Sequence, residues 1–333
     1  YKRQAYADSA NTQQVSYNYW YNSSTGYTDE NVHTRQMEKL DRGLIAIKTD
    51  GGVYLSWRLF DSEDNIFGSA DKNVSFNVYR DGKKISEVAT KTNYVDSTVG
   101  TNYSVAPVIN GVEGEKCDAV TVYNNSYFDI PLSKPDDETI YDPSGNELAT
   151  YSFFPADCST GDVDGDGEYE IIVKWTSSER DVGSPGDPAY SGTVHLAAYK
   201  LDGTKLWKND IELGKNVYSS AHTVQFLIYD FDGDGKSEVM CQTSLGSKDG
   251  QGKYVSNAAQ TDEEIKAITD EENSTADYRG YGRITEGKEF LTVFNGETGV
   301  AMDTINLPTT RGSENGVDYG DDFGNRSNRF VSV

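Results

Sequence analysis

The sequence predicts an all-β protein in which a β-sandwich is followed by part of a β-propeller. Three observations carry this prediction: short runs of alternating apolar and polar residues, Asp-Gly and Asn-Gly pairs between them, and a nine-residue acidic motif that occurs twice, 68 residues apart. Alternation is the period of a half-buried strand, and Asp-Gly and Asn-Gly are favoured in hairpin turns. The 333 residues include 32 Gly, 23 Tyr and 12 Phe, which also favours strands and tight turns.

Residues 1–34 are polar, rich in Asn, Ser, Gln and Tyr, and without a sustained hydrophobic period. This composition predicts an extended arm or linker. One aromatic cluster, YNYWY at residues 17–21, is the exception. Because aromatic side chains gain from burial, we expect the arm to be anchored along a neighbouring domain.

Residues 35–135 carry the pattern of an antiparallel β-sandwich. Val53, Leu55 and Trp57 alternate onto one face of a short run, as a half-buried strand requires. Two further β-rich runs follow, and an Asp-Gly or Asn-Gly pair comes soon after each. A Trp on an early strand and Tyr103 at the start of a late one are typical of fibronectin type III or immunoglobulin-like sandwiches. We therefore predict structural roles for both aromatic residues and no catalytic group in this domain.

Residues 136–333 repeat one arrangement. Each copy of the acidic motif leads into a strand, and a hairpin with an Asp-Gly or Asn-Gly turn follows. Self-similar four-strand units at a fixed offset are typical of propeller blades. The segment would hold about two to three blades at this offset, with a polar, acidic insertion at residues 247–288. We expect the open sheet faces of this incomplete propeller to be covered by the missing blades, from the same chain or another.

The two acidic motifs carry the strongest chemical signal. Both read Asp-x-Asp-Gly-Asp-Gly-x-x-Glu; we call residues 162–170 the first acidic loop and residues 230–238 the second acidic loop. Ca²⁺ takes about six to eight oxygen ligands, and carboxylates at alternate positions of a tight loop can all turn toward one ion. The glycines between them allow the positive φ angles of such a turn. Strand residues follow each loop at once, so the context is not that of an EF-hand.

We predict that both loops bind Ca²⁺. The candidate ligands are side-chain oxygens, the backbone carbonyls of residues 168 and 236, and one carboxylate just before the first loop: Asp157, Asp162, Asp164, Asp166, Glu168, Glu170, Asp230, Asp232, Asp234, Lys236 and Glu238. The alternative is a pair of ordinary acidic turns, since Asp-Gly is common in turns. Three aspartates within five residues repel one another without a cation, and the arrangement occurs twice, which favours metal binding. Equivalent positions in successive blades favour a structural ion over a catalytic one.

The charge balance excludes some classes of partner. Lys and Arg total 30 and Asp and Glu total 54, which gives a net charge of −24. Such a chain lacks the basic face that nucleic acids require, and an anionic membrane surface repels it. No apolar run approaches the roughly 18–20 residues that span a bilayer, and the N-terminal residues lack the apolar core of a signal peptide.

The cysteines and histidines form no reactive pattern. Cys117, Cys158 and Cys241 are odd in number and far apart, unlike the ligands of a zinc site or the pairs of a disulfide scaffold. His195 falls on a predicted strand, and no Ser or Cys lies near it in a recognisable nucleophile motif. We interpret these residues as structural.

Several runs of the sequence resemble the rhamnogalacturonan lyases of polysaccharide-lyase family eleven. The matching runs lie in order along residues 35–330: RQMEKLDRGL at 35–44, FNVYRDG at 76–82, TNYVD at 92–96, GDVDGDG at 161–167, AYKLDGTKLW at 198–207, FLTVFNG at 290–296 and GNR at 324–326. Their order along the chain makes the set far more specific than any one of them.

The resemblance implies an N-terminal sandwich followed by an eight-bladed, Ca²⁺-binding propeller. It also implies a secreted, extracellular protein that cleaves the pectic polysaccharide rhamnogalacturonan I by β-elimination. In that reaction a basic side chain removes the C5 proton of a galacturonate, and a cation on the neighbouring carboxylate stabilises the developing charge. Because a chain of charge −24 would repel a polyanionic substrate, bound cations are part of any account of substrate binding.

Some cleft positions of that family differ in this chain. The resemblance implies an Asn–Asp pair just before the first calcium loop and an Asp just after its strand, and the residues here are Ala156, Asp157 and Thr176. The basic residues associated with proton abstraction belong to later blades of the family. No catalytic residue is therefore identified, and we expect no useful cleavage by this chain alone.

Two hypotheses remain open at this point. In the first, the chain is the N-terminal half of a rhamnogalacturonan endolyase. In the second, it is a non-catalytic, calcium-stabilised extracellular module that binds carbohydrate or serves in assembly, with a degenerate cleft.

Overall fold

The structure is a computed structural model that describes residues 2–7, 13–18, 34–35, 40–60, 63, 73–89, 91–141, 144–177, 192–214, 217, 223–255, 261, 263–264 and 288–308. The secondary structure of these residues is almost entirely strand, in 21 strands and six sheets, which confirms the all-β prediction. No helix in these ranges is long and apolar enough to cross a membrane.

Contacts divide the chain into two compact units. The first comprises Tyr1–Asp129 with two short loop segments, Gly165–Glu168 and Asp232–Gly235. The second comprises Ile130–Asp164, Tyr169–Phe231 and Lys236–Val333. The domain boundaries that the sequence suggests, including those of the 247–288 insertion, stay predictions.

The first unit begins with a three-stranded antiparallel sheet in the segment predicted as an arm. Its strands are β1 (Lys2–Ala7), β2 (Gln13–Asn18) and β3 (Thr34–Arg35), paired in the order β1-β2-β3. These segments lack sustained apolar alternation, so periodicity alone does not predict them.

Two antiparallel sheets form the sandwich. One contains β4 (Ile45–Thr49), β5 (Gly52–Ser56) and β8 (Asn93–Asp96), in the order β4-β5-β8. The other contains β6 (Val74–Arg80), β7 (Lys83–Val88), β9 (Asn102–Ile109), β10 (Val112–Glu113) and β11 (Val120–Thr121), in the order β10-β9-β6-β7 with β11 also paired to β9. Three strands facing a larger sheet match the predicted fibronectin type III or immunoglobulin-like sandwich.

The aromatic residues predicted for the sandwich core have structural roles. Val53, Leu55 and Trp57 are all buried, and Trp57 meets Phe76 edge to face at a centroid distance of 5.5 Å. The Tyr103 hydroxyl accepts a hydrogen bond from the Gly100 N–H at 2.9 Å. This contact back to the residues just upstream is the tyrosine corner of such sandwiches.

The second unit contains two four-stranded antiparallel sheets. The first blade sheet consists of β14 (Phe154–Gly161), β15 (Glu170–Thr176), β16 (His195–Tyr199) and β17 (Ile211–Glu212), in that order. The second blade sheet consists of β18 (Phe226–Tyr229), β19 (Glu238–Ser244), β20 (Glu289–Phe294) and β21 (Ala301–Asn306), also in order. A hairpin of β12 (Glu138–Tyr141) and β13 (Glu147–Tyr151) precedes them. Such four-stranded meanders are the form of propeller blades.

The 68-residue repeat extends to strand register. Ile171 lies opposite Tyr199 in the first blade sheet, and Val239, 68 residues after Ile171, lies opposite Phe294 in the second. The two sheets share one apolar core, whose buried members include Val163, Ile172, Leu196, Trp207, Phe226, Val239 and Phe294. The repeat therefore produces two equivalent sheets that bury their faces against each other.

Candidate metal centre

The first acidic loop joins β14 to β15 and gathers three carboxylates. One oxygen from each of Asp162, Asp164 and Glu170 lies within 4.8 Å of the other two. Asp162 and Glu170 are buried, and Asp164 is half-buried. Glu170 Oε2 also accepts a hydrogen bond from the Val163 N–H at 3.0 Å, which holds the end of the loop against its beginning.

The second acidic loop joins β18 to β19 and repeats much of this geometry. Asp230, Asp232 and Asp234 each offer an oxygen within 4.8 Å of the others, and only Asp230 is buried. Glu238 Oε2 accepts from the Phe231 N–H at 2.8 Å, which is the Val163 hydrogen bond displaced by 68 residues. The repeat thus conserves the loop backbone as well as the acidic residues.

Glycines set the shape of both loops. Gly165 and Gly167 have φ angles of 80° and 96°, and Gly233 and Gly235 have φ angles of 82° and 94°. A side chain at any of these positions would be strained, as the motif predicts. The Ser237 N–H donates to the Asp162 carbonyl at 2.8 Å, so the two loops are also joined through their backbones.

The donor sets fit a hard divalent cation. Every donor in the two clusters is a carboxylate oxygen, the ligand type that Ca²⁺, Mg²⁺ and Mn²⁺ prefer. Among the residues that the structure describes, no cysteine or histidine joins either cluster, so the soft-metal chemistry of zinc or copper sites is disfavoured. Three carboxylates this close together are unfavourable unless positive charge lies nearby.

One positive charge already lies at the first acidic loop. The Lys200 ammonium is 2.6 Å from Asp164 Oδ2, and its side chain is 34% exposed. Lys200 directly follows β16, so the neighbouring strand of the same sheet supplies this cation.

The two clusters contain six of the predicted ligands, and the metal-binding roles of the others stay predictions. Asp166 Oδ1 accepts from the Glu168 N–H at 2.9 Å, and neither Asp166 nor Glu238 belongs to a three-carboxylate cluster. The Lys236 ammonium pairs with Glu297 at 2.5 Å. The roles of the Glu168 and Lys236 carbonyls as ligands stay predictions.

Asp157 belongs to neither three-carboxylate cluster and lies opposite a buried lysine. It pairs across strands with Lys174, and its Oδ2 is 3.7 Å from the Lys174 ammonium. Lys174 is fully buried and donates to the Thr223 carbonyl at 2.9 Å. Burial lowers the pKa of Lys174, and the Asp157 carboxylate opposes that shift. The pair therefore places the buried Lys174 ammonium beside β14 at Asp157.

Comparison with known families identifies the chain. Residues 127–333 match the sequence model of the C-terminal domain of rhamnogalacturonan lyase family 11, and residues 35–123 match that of the beta-sheet domain of rhamnogalacturonan I lyases. The chain belongs to rhamnogalacturonan lyase family 11. This membership confirms the resemblance found in the sequence.

Individual members of family 11 are similar over most of this chain. It is 45% identical over 303 residues to the rhamnogalacturonan endolyase YesW of Bacillus subtilis and 40% identical over 304 residues to the exolyase YesX of the same organism. Each alignment covers 90% of this chain but only 43% of YesW and 44% of YesX. The chain thus spans less than half the length of these relatives.

Solved structures agree with the sequence comparison. The crystal structure of YesW matches with a TM-score of 0.68 and 43% identity, covering 88% of this chain and 45% of that one. A Bacillus licheniformis rhamnogalacturonan lyase matches with the same TM-score and 44% identity, over 88% of this chain and 45% of its own.

The cleft positions inferred from family 11 come together at one end of the first blade sheet. Thr176 is the buried last residue of β15 and lies opposite Phe154, the first residue of β14. Ala156 occupies the register shift between Pro155 and Asp157. A β-bulge changes the direction of the side chains beside it. The regular alternation of side chains along the strand is therefore interrupted at this end of the sheet.

Sequence reasoning missed Lys174 and Lys200. Lys174 interrupts the apolar strand run IIVKW, and a charge within such a run is a signal that could have been read. Lys200 lies far from the first acidic loop in sequence, and only the strand register places it there.

All three cysteines are free, and none is near an acidic cluster as a donor. Cys117 is half-buried, Cys158 exposed and Cys241 buried. Burial raises the pKa of the Cys241 thiol to about 12, so it stays protonated near neutral pH.

Proposed function

We propose that this chain is part of a rhamnogalacturonan lyase, which cleaves the pectic polymer rhamnogalacturonan I by β-elimination. The observation that carries the proposal is the similarity, across 90% of the chain, to an endolyase and an exolyase of this polymer. The two relatives differ in their mode of attack, and what they share is the polymer and the lyase reaction. Because this polymer is part of plant cell walls, we also infer that the protein acts outside the cell.

We infer further that Ca²⁺ is the cation of both acidic loops. The carboxylates of Asp162, Asp164 and Glu170 would hold one ion, and the second cluster would hold another. A bound Ca²⁺ supplies fixed positive charge, which a protein of net charge −24 needs if it is to accept a polyanionic polymer. Both loops join the first two strands of their sheets, and this equivalence supports a structural role.

At the inferred cleft, a buried lysine holds a carboxylate in place. Lys174 is fixed by its hydrogen bond to the Thr223 carbonyl and lies 3.7 Å from the Asp157 carboxylate. That attraction orients Asp157 beside the β-bulge at Ala156. No described residue of this chain is assigned as the base that removes the C5 proton.

A hybrid enzyme tests the proposal. This chain would replace the matching region of YesW, so that the remaining YesW sequence supplies the rest of the protein. We expect the hybrid to release unsaturated uronate products from rhamnogalacturonan, detected by ultraviolet absorbance, in buffer that contains Ca²⁺. Intact YesW is the positive control, and polygalacturonate is the control for substrate specificity.

The second candidate function is a non-catalytic carbohydrate-binding module. The feature that favours it is the presence of Ala156 and Thr176 at two cleft positions where the family resemblance implies an amide and a carboxylate. A folded hybrid that binds the polymer but releases no product would favour this module and overturn the lyase proposal. If the residues at these two positions are the whole cause of the missing cleavage, the substitutions Ala156→Asn and Thr176→Asp should restore it.

A further inference from the structure

The two acidic loops differ in one element of their surroundings. Register equates Tyr199 of the first blade sheet with Phe294 of the second, so Lys200 and Asn295 occupy equivalent positions. Lys200 directs its ammonium to Asp164 Oδ2 at 2.6 Å. Asn295 instead turns its side-chain oxygen into its own turn, where it accepts from the Thr298 N–H at 3.0 Å and the Thr298 hydroxyl at 2.6 Å. The turn after β16 thus supplies a cation to the first acidic loop, whereas the equivalent position after β20 is a neutral amide bonded within its own turn.

The backbone around Lys200 holds it at this place. Its N–H donates to the Thr204 carbonyl at 2.9 Å, and its carbonyl accepts from the Gly203 N–H at 2.9 Å. These bonds close the tight turn after β16, so the side chain begins from a fixed point beside the first acidic loop. The ammonium sits on a carboxylate of the same cluster that offers oxygens to a metal.

We propose that Lys200 is a built-in counter-cation of the first acidic loop, which stabilises the loop without metal and weakens its binding of Ca²⁺. This inference rests on the proposed Ca²⁺ sites. An ion that takes Asp164 as a ligand has to displace the ammonium or accept a like charge beside it, and either costs affinity. Because the Lys200 side chain is partly exposed, it can swing into water, which limits the effect to about tenfold.

The test isolates the first acidic loop by removing the second. Calcium binding to an Asp232→Ala chain, measured by titration calorimetry after removal of metal, reports the first loop alone. Adding Lys200→Met to this chain should tighten calcium binding about tenfold. It should also lower the melting temperature in chelator, because the Asp164 carboxylate then loses its ion pair with Lys200. Lys205→Met is the matched control, since its ammonium pairs with Asp210 at 2.5 Å and the charge change is the same.

The reciprocal substitution tests the second acidic loop. In an Asp164→Ala chain, Asn295→Lys should weaken the remaining calcium binding about tenfold. Unchanged affinity in the Lys200→Met chain, with calcium still bound, would overturn this inference and leave the proposed Ca²⁺ sites intact. If neither loop of the unsubstituted chain bound calcium, this inference and the proposed Ca²⁺ sites would both be overturned.

Discussion

At the scale of single residues, we expect His195 to make the stability of the protein depend on pH. It lies on β16, meets Phe153 edge to face at 4.8 Å, and its buried Nδ1 has no hydrogen-bond partner among the residues that the structure describes. Burial lowers the pKa of His195, while Glu212, Asp210 and Glu138 oppose the shift and Lys205 adds to it. The folded chain therefore holds the neutral imidazole.

This burial predicts a loss of stability in mild acid. The unfolded chain binds a proton at His195 near the ordinary pKa of 6.5, before the folded chain does, so stability falls as pH drops below that value. His195→Gln should reduce this dependence by on the order of 1 kcal/mol. Urea unfolding of both chains between about pH 5 and pH 8 measures it, and the slope left in the variant belongs to the carboxylates. Parallel curves for the two chains would contradict the assignment to His195.

Lys174 makes a second prediction at this scale. Lys174→Ala removes a fully buried side chain and the donor to the Thr223 carbonyl, so we expect a loss of about 3 kcal/mol in unfolding free energy. Lys174→Met keeps most of the volume and should lose only about 1 kcal/mol. Chemical denaturation gives both values. Equal losses would show that the volume of the side chain is unimportant there.

At the scale of strands and loops, hydrophobic periodicity predicted the strands that bury one face. The alternation of Val53, Leu55 and Trp57 identified β5 because that strand covers a core. The β12–β13 hairpin was not predicted, since a two-stranded ribbon depends on its neighbours more than on its own pattern. The acidic loops were found because their ligands are close in sequence. Lys200 was not, because its approach to Asp164 depends on the pairing of β15 with β16.

The close packing of the blade sheets makes Gly296 intolerant of a side chain. A Cβ there would lie 1.9 Å from the Ser237 carbonyl oxygen and 2.8 Å from Val163 Cβ. The Gly296 carbonyl also accepts from Trp207 Nε1 at 2.7 Å, so the turn cannot simply move away. We expect Gly296→Ala to cost about 3 kcal/mol or more in unfolding free energy.

Gly145→Ala is the matched control. Gly145 has a φ of +83° but open space around it, so only backbone strain of about 1–2 kcal/mol should result. Denaturant unfolding of the two variants separates steric overlap from strain. A smaller loss for Gly296→Ala than for Gly145→Ala would mean that the two blade sheets are not tightly packed at this turn.

At the scale of the whole molecule, negative charge opposes the compact state. The 54 acidic residues exceed the 30 basic ones by 24, and each acidic loop holds a group of three carboxylates. Self-repulsion of this kind weakens a folded protein unless cations are bound. Ions held by the acidic loops would therefore stabilise the fold, whatever they do for the substrate.

This reasoning predicts that chelation destabilises the chain. A ligand that binds only the folded state adds RT ln(1 + [L]/Kd), about 2.7 kcal/mol for each site at a concentration of 100 Kd. We expect the melting temperature to fall by several degrees when EDTA replaces excess Ca²⁺, and the double variant Asp164→Ala, Asp232→Ala to lose most of that difference.

The double variant Asp118→Ala, Asp129→Ala is the matched control. It removes the same charge at exposed positions outside the loops and should keep the difference between EDTA and Ca²⁺. Mg²⁺ at the same concentration should substitute poorly, because it demands octahedral geometry and gives up its waters reluctantly. Identical melting curves in EDTA and in Ca²⁺ would show that the carboxylates of the acidic loops are balanced without a metal ion.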